Sequence, residues 1–315
     1  MHLRSRHALA LLVLAWAAAP GCGGPSAAAG RSTLSVAVAF YPLEEIVRNV
    51  GGEQVRVVDL TPPGGEPHDL DLTPERAADL ERADVVFYLG HGFQPAVEKA
   101  VAGLPGRVAK VDLLGRTDLL PVTPVLTGTN GEVDGEELAG GKDPHVWVDP
   151  ENMVALTTAV AETLDTADPT HAADHARGAD AYRAKLARLG QDFATTLRTC
   201  ASRSIVTSHR AFEYLARRYS LKQIPIAGIS PDEEPDPRSL EAVATAAKAD
   251  GVRVIFFEHR VSPRLSETVA AEIGATTDTL DPVETLTRED LQTGTTYLSV
   301  QAANLAALAR ALRCS

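Results

Sequence analysis

Thr33-Leu34-Ser35-Val36-Ala37-Val38-Ala39-Phe40 alternates larger apolar side chains with small ones and is rich in β-formers, the pattern of a strand. Apolar residues then fall at helical spacing over 43–50, and strand character returns over 55–60, completing a β-α-β unit. The rhythm continues with a helix over 74–82, a strand over 85–89, a helix over 94–102 and a short strand near 108–111. Past Cys200 it restarts: strands at 204–207, 223–227, 252–257 and 275–280 alternate with helices at 211–219, 238–249 and 263–273, and a last helix covers 297–313. Strands joined through helices imply mostly parallel sheets covered on both faces.

Two other kinds of chain separate the halves. Residues 121–143 are rich in Gly, Thr and acidic side chains, and a loop this long inside a domain is usually functional or mobile. Residues 153–164 read as a helix. Asp168-Pro169-Thr170 then opens a helical stretch to about Leu197, dominated by Ala, Arg, Asp and Leu and weakened only by Gly178 and Gly190. It has no β-partner, and at about 1.5 Å per residue it is long enough to span a small domain. The expected fold is therefore α/β: two doubly wound Rossmann-like lobes, residues 33–167 and 200–315, joined by one long connector helix at 168–199.

The 315 residues, 44% of them hydrophobic, suffice for two cores of ordinary size. A net charge of −12 argues against a nucleic-acid surface and against electrostatic docking on anionic lipid. Arg4 and Arg6 precede an apolar run from Ala8 to Ala19, too short to span a bilayer but of signal-peptide length, so export is expected. Ala19-Pro20-Gly21-Cys22 looks like a bacterial lipoprotein cleavage site, which makes 1–22 the signal peptide with Cys22 lipidated and 23–32 a flexible tether. Cleavage by ordinary signal peptidase, with Cys22 incidental, is the alternative. With Cys22 consumed by lipid, Cys200 and Cys314 remain as a pair in an oxidising compartment. A disulfide between them would close a loop of more than a hundred residues, worth about 4–5 kcal/mol in chain entropy. Two buried free thiols are the other reading.

The chemistry concentrates in four segments: Gly65-Glu66-Pro67-His68-Asp69, Asp143-Pro144-His145-Val146-Trp147, Thr207-Ser208-His209-Arg210 and Thr279-Leu280-Asp281-Pro282. Each offers an imidazole or a carboxylate just beyond an expected strand or on entry to a short segment. In open α/β sheets ligands bind beyond the carboxyl ends of strands, where such loops converge. His68, His145, His209 and Asp281, two from each half, would meet in the cleft between lobes as three nitrogens and one oxygen, a set suited to zinc. Glu66, His91 and Glu258 are second-tier candidates, with His259 beside them. His171 and His175, four apart on the connector, read as part of an ordinary solvated face.

On these residues the chain resembles the cluster A-I metal-binding lipoproteins, the solute-binding proteins of bacterial zinc and manganese ABC importers. The likeness is carried by Pro67-His68-Asp69-Leu70-Asp71-Leu72-Thr73-Pro74, Asp84-Val85-Val86-Phe87-Tyr88-Leu89-Gly90, Asp143-Pro144-His145-Val146-Trp147-Val148-Asp149-Pro150 and Leu280-Asp281-Pro282, and it covers essentially the whole mature chain. It implies two α/β lobes joined by one long helix, and its metal ligands fall on His68, His145, His209 and Asp281. Manganese-type members generally have a carboxylate where this chain has His209, so the expected cargo is Zn2+, with manganese or another divalent ion the alternative. Many zinc-type members carry a histidine-rich stretch before the second ligand, and residues 121–143 have none. The expected partners are a membrane permease of the ABC importer, the metal ion and the membrane through the lipid anchor, with the chain working as a monomer. Two competing functions stand beside this one: an adhesin-type lipoprotein with structural metal, and an exported zinc hydrolase using Glu66 or Glu258 as general base. Four protein ligands leave no open position for a nucleophilic water, which disfavours the enzyme.

Overall fold

The computed structural model describes residues 33–122, 141–232, 234–259 and 262–315. The signal-sequence and Cys22 readings, and most of the 121–143 stretch, lie outside the described residues. The first half runs β1 (Leu34–Val38), α1 (Tyr41–Gly51), β2 (Val55–Asp59), α2 (Pro74–Arg82), β3 (Val85–Tyr88), α3 (Pro95–Gly103) and β4 (Ala109–Asp112). Its four strands are all parallel, in the order β2-β1-β3-β4. A single 3-10 turn (Val146–Val148) leads into α4 (Pro150–Ala167) and α5 (Ala172–Leu197).

The second half repeats the winding. β5 (Ser204–Thr207), α6 (Glu213–Arg218), β6 (Lys222–Pro225), α7 (Pro237–Ala249), β7 (Val254–Phe257), α8 (Arg264–Ile273) and β8 (Thr276–Thr279) form a parallel sheet in the order β6-β5-β7-β8. α9 (Arg288–Gln292) and α10 (Tyr297–Leu312) complete the chain. In each sheet the first strand is central and the chain winds out on one side before crossing to the other. That reversal, between β1 and β3 and between β5 and β7, opens a crevice beyond the strand ends.

Local chemistry sets several helix starts. Thr73-Pro74, Asp149-Pro150 and Asp236-Pro237 each pair a side-chain oxygen that accepts a first-turn N–H with a proline whose missing donor costs nothing there. Thr287 and Thr296 close reciprocal capping boxes with Asp290 and Ser299. The first of these nucleates α9, too short to show as a period in the sequence.

α5, 26 residues and about 39 Å long, packs against α1, α4 and α10. It starts later than the sequence suggested, because α4 runs on to Ala167 and a 3-10 turn at Pro169–His171 intervenes. Gly178 is needed for its contact with α1: a Cβ there would lie 2.6 Å from the carbonyl oxygens of Asn49 and Val50. The expected solvated histidine face does not form. His175 is fully buried with Nδ1 3.2 Å from Asp165, and His171 turns to Asp168 at 2.5 Å.

One continuous apolar core includes Val36, Phe87, Trp147, Leu186 and Phe193 together with Phe212, Phe256, Tyr297 and Leu308, so it runs from the first sheet through the connector into the second half. A smaller core, with Val206, Ile224, Val243, Ile255 and Val269, fills the space beneath α7 and α8. Cys200 and Cys314 are joined by a disulfide that fastens the end of α5 to the end of α10.

Candidate metal site

The loop after β2 carries His68, the segment before the 3-10 turn carries His145, and the loop directly after β5 carries His209. The structure brings these three rings together with a carboxylate that sequence reasoning missed, Glu284, five residues beyond β8. All four side chains are buried, His145 and His209 completely.

Glu284 Oε1 lies 3.6 Å from His68 Nε2, 3.6 Å from His145 Nε2 and 3.3 Å from His209 Nε2. His145 Nε2 and His209 Nε2 face each other at 3.3 Å, and the four atoms all lie within 4.8 Å of one another. A tetrahedron of zinc bonds about 2.0–2.1 Å long has edges of about 3.3–3.4 Å, and the three Glu284 contacts and the His145–His209 pair, at 3.3–3.6 Å, come close to that length. His68 Nε2 and Glu284 Oε1 are buried and have no hydrogen-bond partner, a condition costly in a protein interior unless something else satisfies them.

Carboxylates behind the rings decide which nitrogen faces inward. His145 Nδ1 is 2.8 Å from Asp143 Oδ1, and His209 Nδ1 is 2.6 Å from Glu258 Oε1, which also accepts from Ser208 Oγ at 2.6 Å. Each carboxylate accepts a hydrogen bond from Nδ1–H and so leaves the Nε2 lone pair for a metal, the arrangement that orients histidine ligands in zinc proteins. His68 is held differently, edge-on to Phe93 with ring centroids 4.8 Å apart and with its backbone N–H donated to Glu66 Oε1.

Burial opposes charge on all three rings. On His209 the Glu258 and Glu284 carboxylates outweigh it and hold the pKa well above the ordinary value, and on His145 Asp143 and Glu284 raise it. On His68 burial wins and the pKa falls. Burial would raise Glu284, but the three imidazoles crowded around it reverse this and hold the carboxyl well below the usual range. Glu66 is pushed up to about 8 by burial and by the nearby Glu284 charge. The carboxylates thus favour on His145 and His209 the protons that a divalent cation would displace.

The other sequence candidates fall around this set. Asp281 is not brought into it: its Oδ1 accepts the Val283 N–H at 2.7 Å, and its backbone is paired with Asn304. The physical reason is the turn it starts. Val283 has φ +59°, left-handed and costing about 1–3 kcal/mol for a branched residue, and this reversal brings the residue after it to the histidines. Glu258 supports His209, and Glu66 supports the backbone of His68. Glu66, Glu258, His259, Asp281 and Glu284 line a small cavity against the site. His91 is exposed and outside the group, as is His259. One signal for Glu284 was present in the sequence, a lone carboxylate between Val283 and Leu286, both of which are buried.

Residues 36–311 match the family described as zinc-uptake complex component A, periplasmic. The chain is 33% identical over 289 residues to the zinc-binding lipoprotein AdcA of Streptococcus pneumoniae serotype 4; the match takes in 91% of this chain but 57% of that protein, so the chain spans little more than half its relative's length. Against the high-affinity zinc uptake system protein ZnuA of Bacillus subtilis the identity is 32% over 283 residues, 87% of this chain and 86% of that one. The crystal structure of the Zn(II)-bound ZnuA-like domain of Streptococcus pneumoniae AdcA superposes with a TM-score of 0.75 at 32% identity, over 89% of this chain and 99% of the other. With its two parallel-sheet lobes, long connector and buried three-histidine, one-glutamate cluster, the chain belongs to the zinc-uptake component A family.

Proposed function

We propose that this protein is the extracytoplasmic binding protein of a zinc ABC importer, capturing one Zn2+ with His68, His145, His209 and Glu284 and delivering it to the membrane permease. The observation that carries the reading is the set of four buried donor atoms that all lie within 4.8 Å of one another. Four protein donors fill the coordination shell, so no position is left for the activated water of a hydrolase, and Glu66 and Glu258 are engaged with the backbone and ring of two histidines instead of a substrate. Three nitrogens against one carboxylate favour zinc over manganese, which prefers more oxygen. The names of its relatives, a zinc-binding lipoprotein and a zinc uptake system protein, support the same cargo.

The same proposal takes residues 1–22 as the signal peptide, Cys22 as the lipid-bearing residue, 23–32 as the tether and a monomer as the working form at the outer face of the cell membrane. No helix among the described residues is long and apolar enough to cross a membrane. Zinc content and a competition titration of the protein from Arg31 onward, beside His209→Ala and Glu284→Gln, test the function. One tightly bound zinc per chain, reversible with chelator and weakened in both variants, is expected. No tight zinc, or zinc indifferent to both substitutions, would sink the reading.

A further inference from the structure

We propose that Asp281, Asn304 and Trp147 are positioning residues for the metal site, holding the turn at 281–284 in the conformation that aims Glu284 at the three histidines. The inference rests on the zinc reading of that cluster. Asn304 clamps both backbone groups of Asp281: its Oδ1 accepts the Asp281 N–H at 2.9 Å and its Nδ2 donates to the Asp281 carbonyl at 2.7 Å. Asp281 Oδ1 in turn accepts the N–H of Val283, the residue with left-handed φ, and Trp147 Nε1 donates to the Pro282 carbonyl at 2.8 Å. Every residue between the end of β8 and Glu284 that bends the chain is thus gripped from outside the turn or by the turn's own aspartate.

The grip continues across the cleft. Tyr297, Gln301 and Asn304 lie on one stripe of α10 and are buried. Tyr297 Oη donates to the Trp147 carbonyl at 2.7 Å and Gln301 Nε2 to the Val148 carbonyl at 3.0 Å, while Asn304 Nδ2 also reaches Gln301 Oε1 at 3.2 Å. A buried polar stripe on a helix is unfavourable unless partnered, and here its partners are the two backbones that carry His145 and Glu284. A helix needed only for packing would place apolar residues there. The ladder therefore fixes the distance between a ligand from the first lobe and a ligand from the second, and Asp281 serves it through the oxygen that accepts from Val283.

The test compares zinc affinity, by competition with a chromophoric chelator, and the visible absorption of the Co2+ form in Asn304→Ala, Asp281→Ala, Asp281→Asn, Glu284→Ala and the Asn304→Ala/Glu284→Ala double variant. Asn304→Ala and Asp281→Ala are expected to weaken zinc at least about tenfold and to alter the Co2+ bands as a ligand drifts away. Asp281→Asn, whose amide oxygen still accepts from Val283, stays within about threefold of the parent. Once Glu284 is gone, removing Asn304 costs less than about twofold, because the two act through one carboxylate. Asp281→Asn falling as far as Asp281→Ala, or Asn304→Ala costing as much without Glu284 as with it, would overturn the proposal. Should Asn304→Ala fail to fold, the Asp281 pair decides. A parent protein without zinc affinity would remove the functional reading itself, whereas parent affinity with indifferent variants removes this inference alone.

Discussion

His68 and His209 reach the same point by opposite means. His209 is braced by charge, with Glu258 behind its ring and Glu284 before it. His68 is braced by packing, in a first-lobe bed where Phe40, Phe93 and Trp147 meet edge-on or tilted at centroid distances of 4.7–5.4 Å. Around the rings of His68 and His209, one lobe supplies a low-dielectric wall and the other supplies carboxylates. The wall strengthens every electrostatic contact made against it, so the second lobe's charges count for more than they would in water. The difference teaches that a ligand can be aimed without being made more basic.

Removing the bed is the most severe way to break the comparison. Phe93→Ala should destabilise the metal-free protein by about 3–5 kcal/mol, as for other buried Phe truncations, and denaturant unfolding would measure it. Stability close to the parent's would mean the aromatic wall is not what holds His68. Glu258→Gln leaves an acceptor for Ser208 but removes the charge behind His209. Zinc affinity should drop about 10–100-fold, in line with other lost outer-shell carboxylates, and an unchanged titration would show that hydrogen bonding alone suffices.

Protons sharpen the contrast further. His145 and His209 have raised pKa values, so they retain protons above the ordinary imidazole range, and zinc must expel them. Zinc affinity should therefore rise from pH 6 to 8, with proton release visible as a buffer-dependent heat in calorimetry; His68, lowered by burial, competes only at more acidic pH. An affinity flat across that window would contradict the assignment. The smallest effect has the opposite sign. Groups with raised folded pKa values give a stabilisation that is full below their unfolded values and lost as pH climbs through the folded ones. The metal-free protein should accordingly melt at lower temperature as pH goes from 6 to 9, with Glu66 adding in the same direction. Melting temperatures that rise instead would reverse the assigned shifts.

Much of this was legible in the sequence because it depends on local periodicity. The strands at 34–38 and 204–207, the Pro-started helices and the three histidines each follow from residues a few positions apart. The carboxylate did not. Asp281 precedes a proline immediately after a strand, and strand-end logic stops there. The route to Glu284 passes through a left-handed valine that no propensity scale would place. Its support comes from Trp147 and Asn304, distant in sequence, which only the assembled fold can bring together. His175 misled for a related reason: a helical i,i+4 spacing says which residues share a face but not whether that face meets water or α4.

The disulfide gives α10 a fulcrum. Because Cys314 is bonded to Cys200 at the root of the connector, the C-terminal end of α10 is fixed to the end of α5. Any displacement of α10 must then be a swing of its other end, where Tyr297 and Gln301 stand. A small rotation about the sulfur bridge is multiplied along about 24 Å of lever, the length of its 16 residues, before it reaches the metal site.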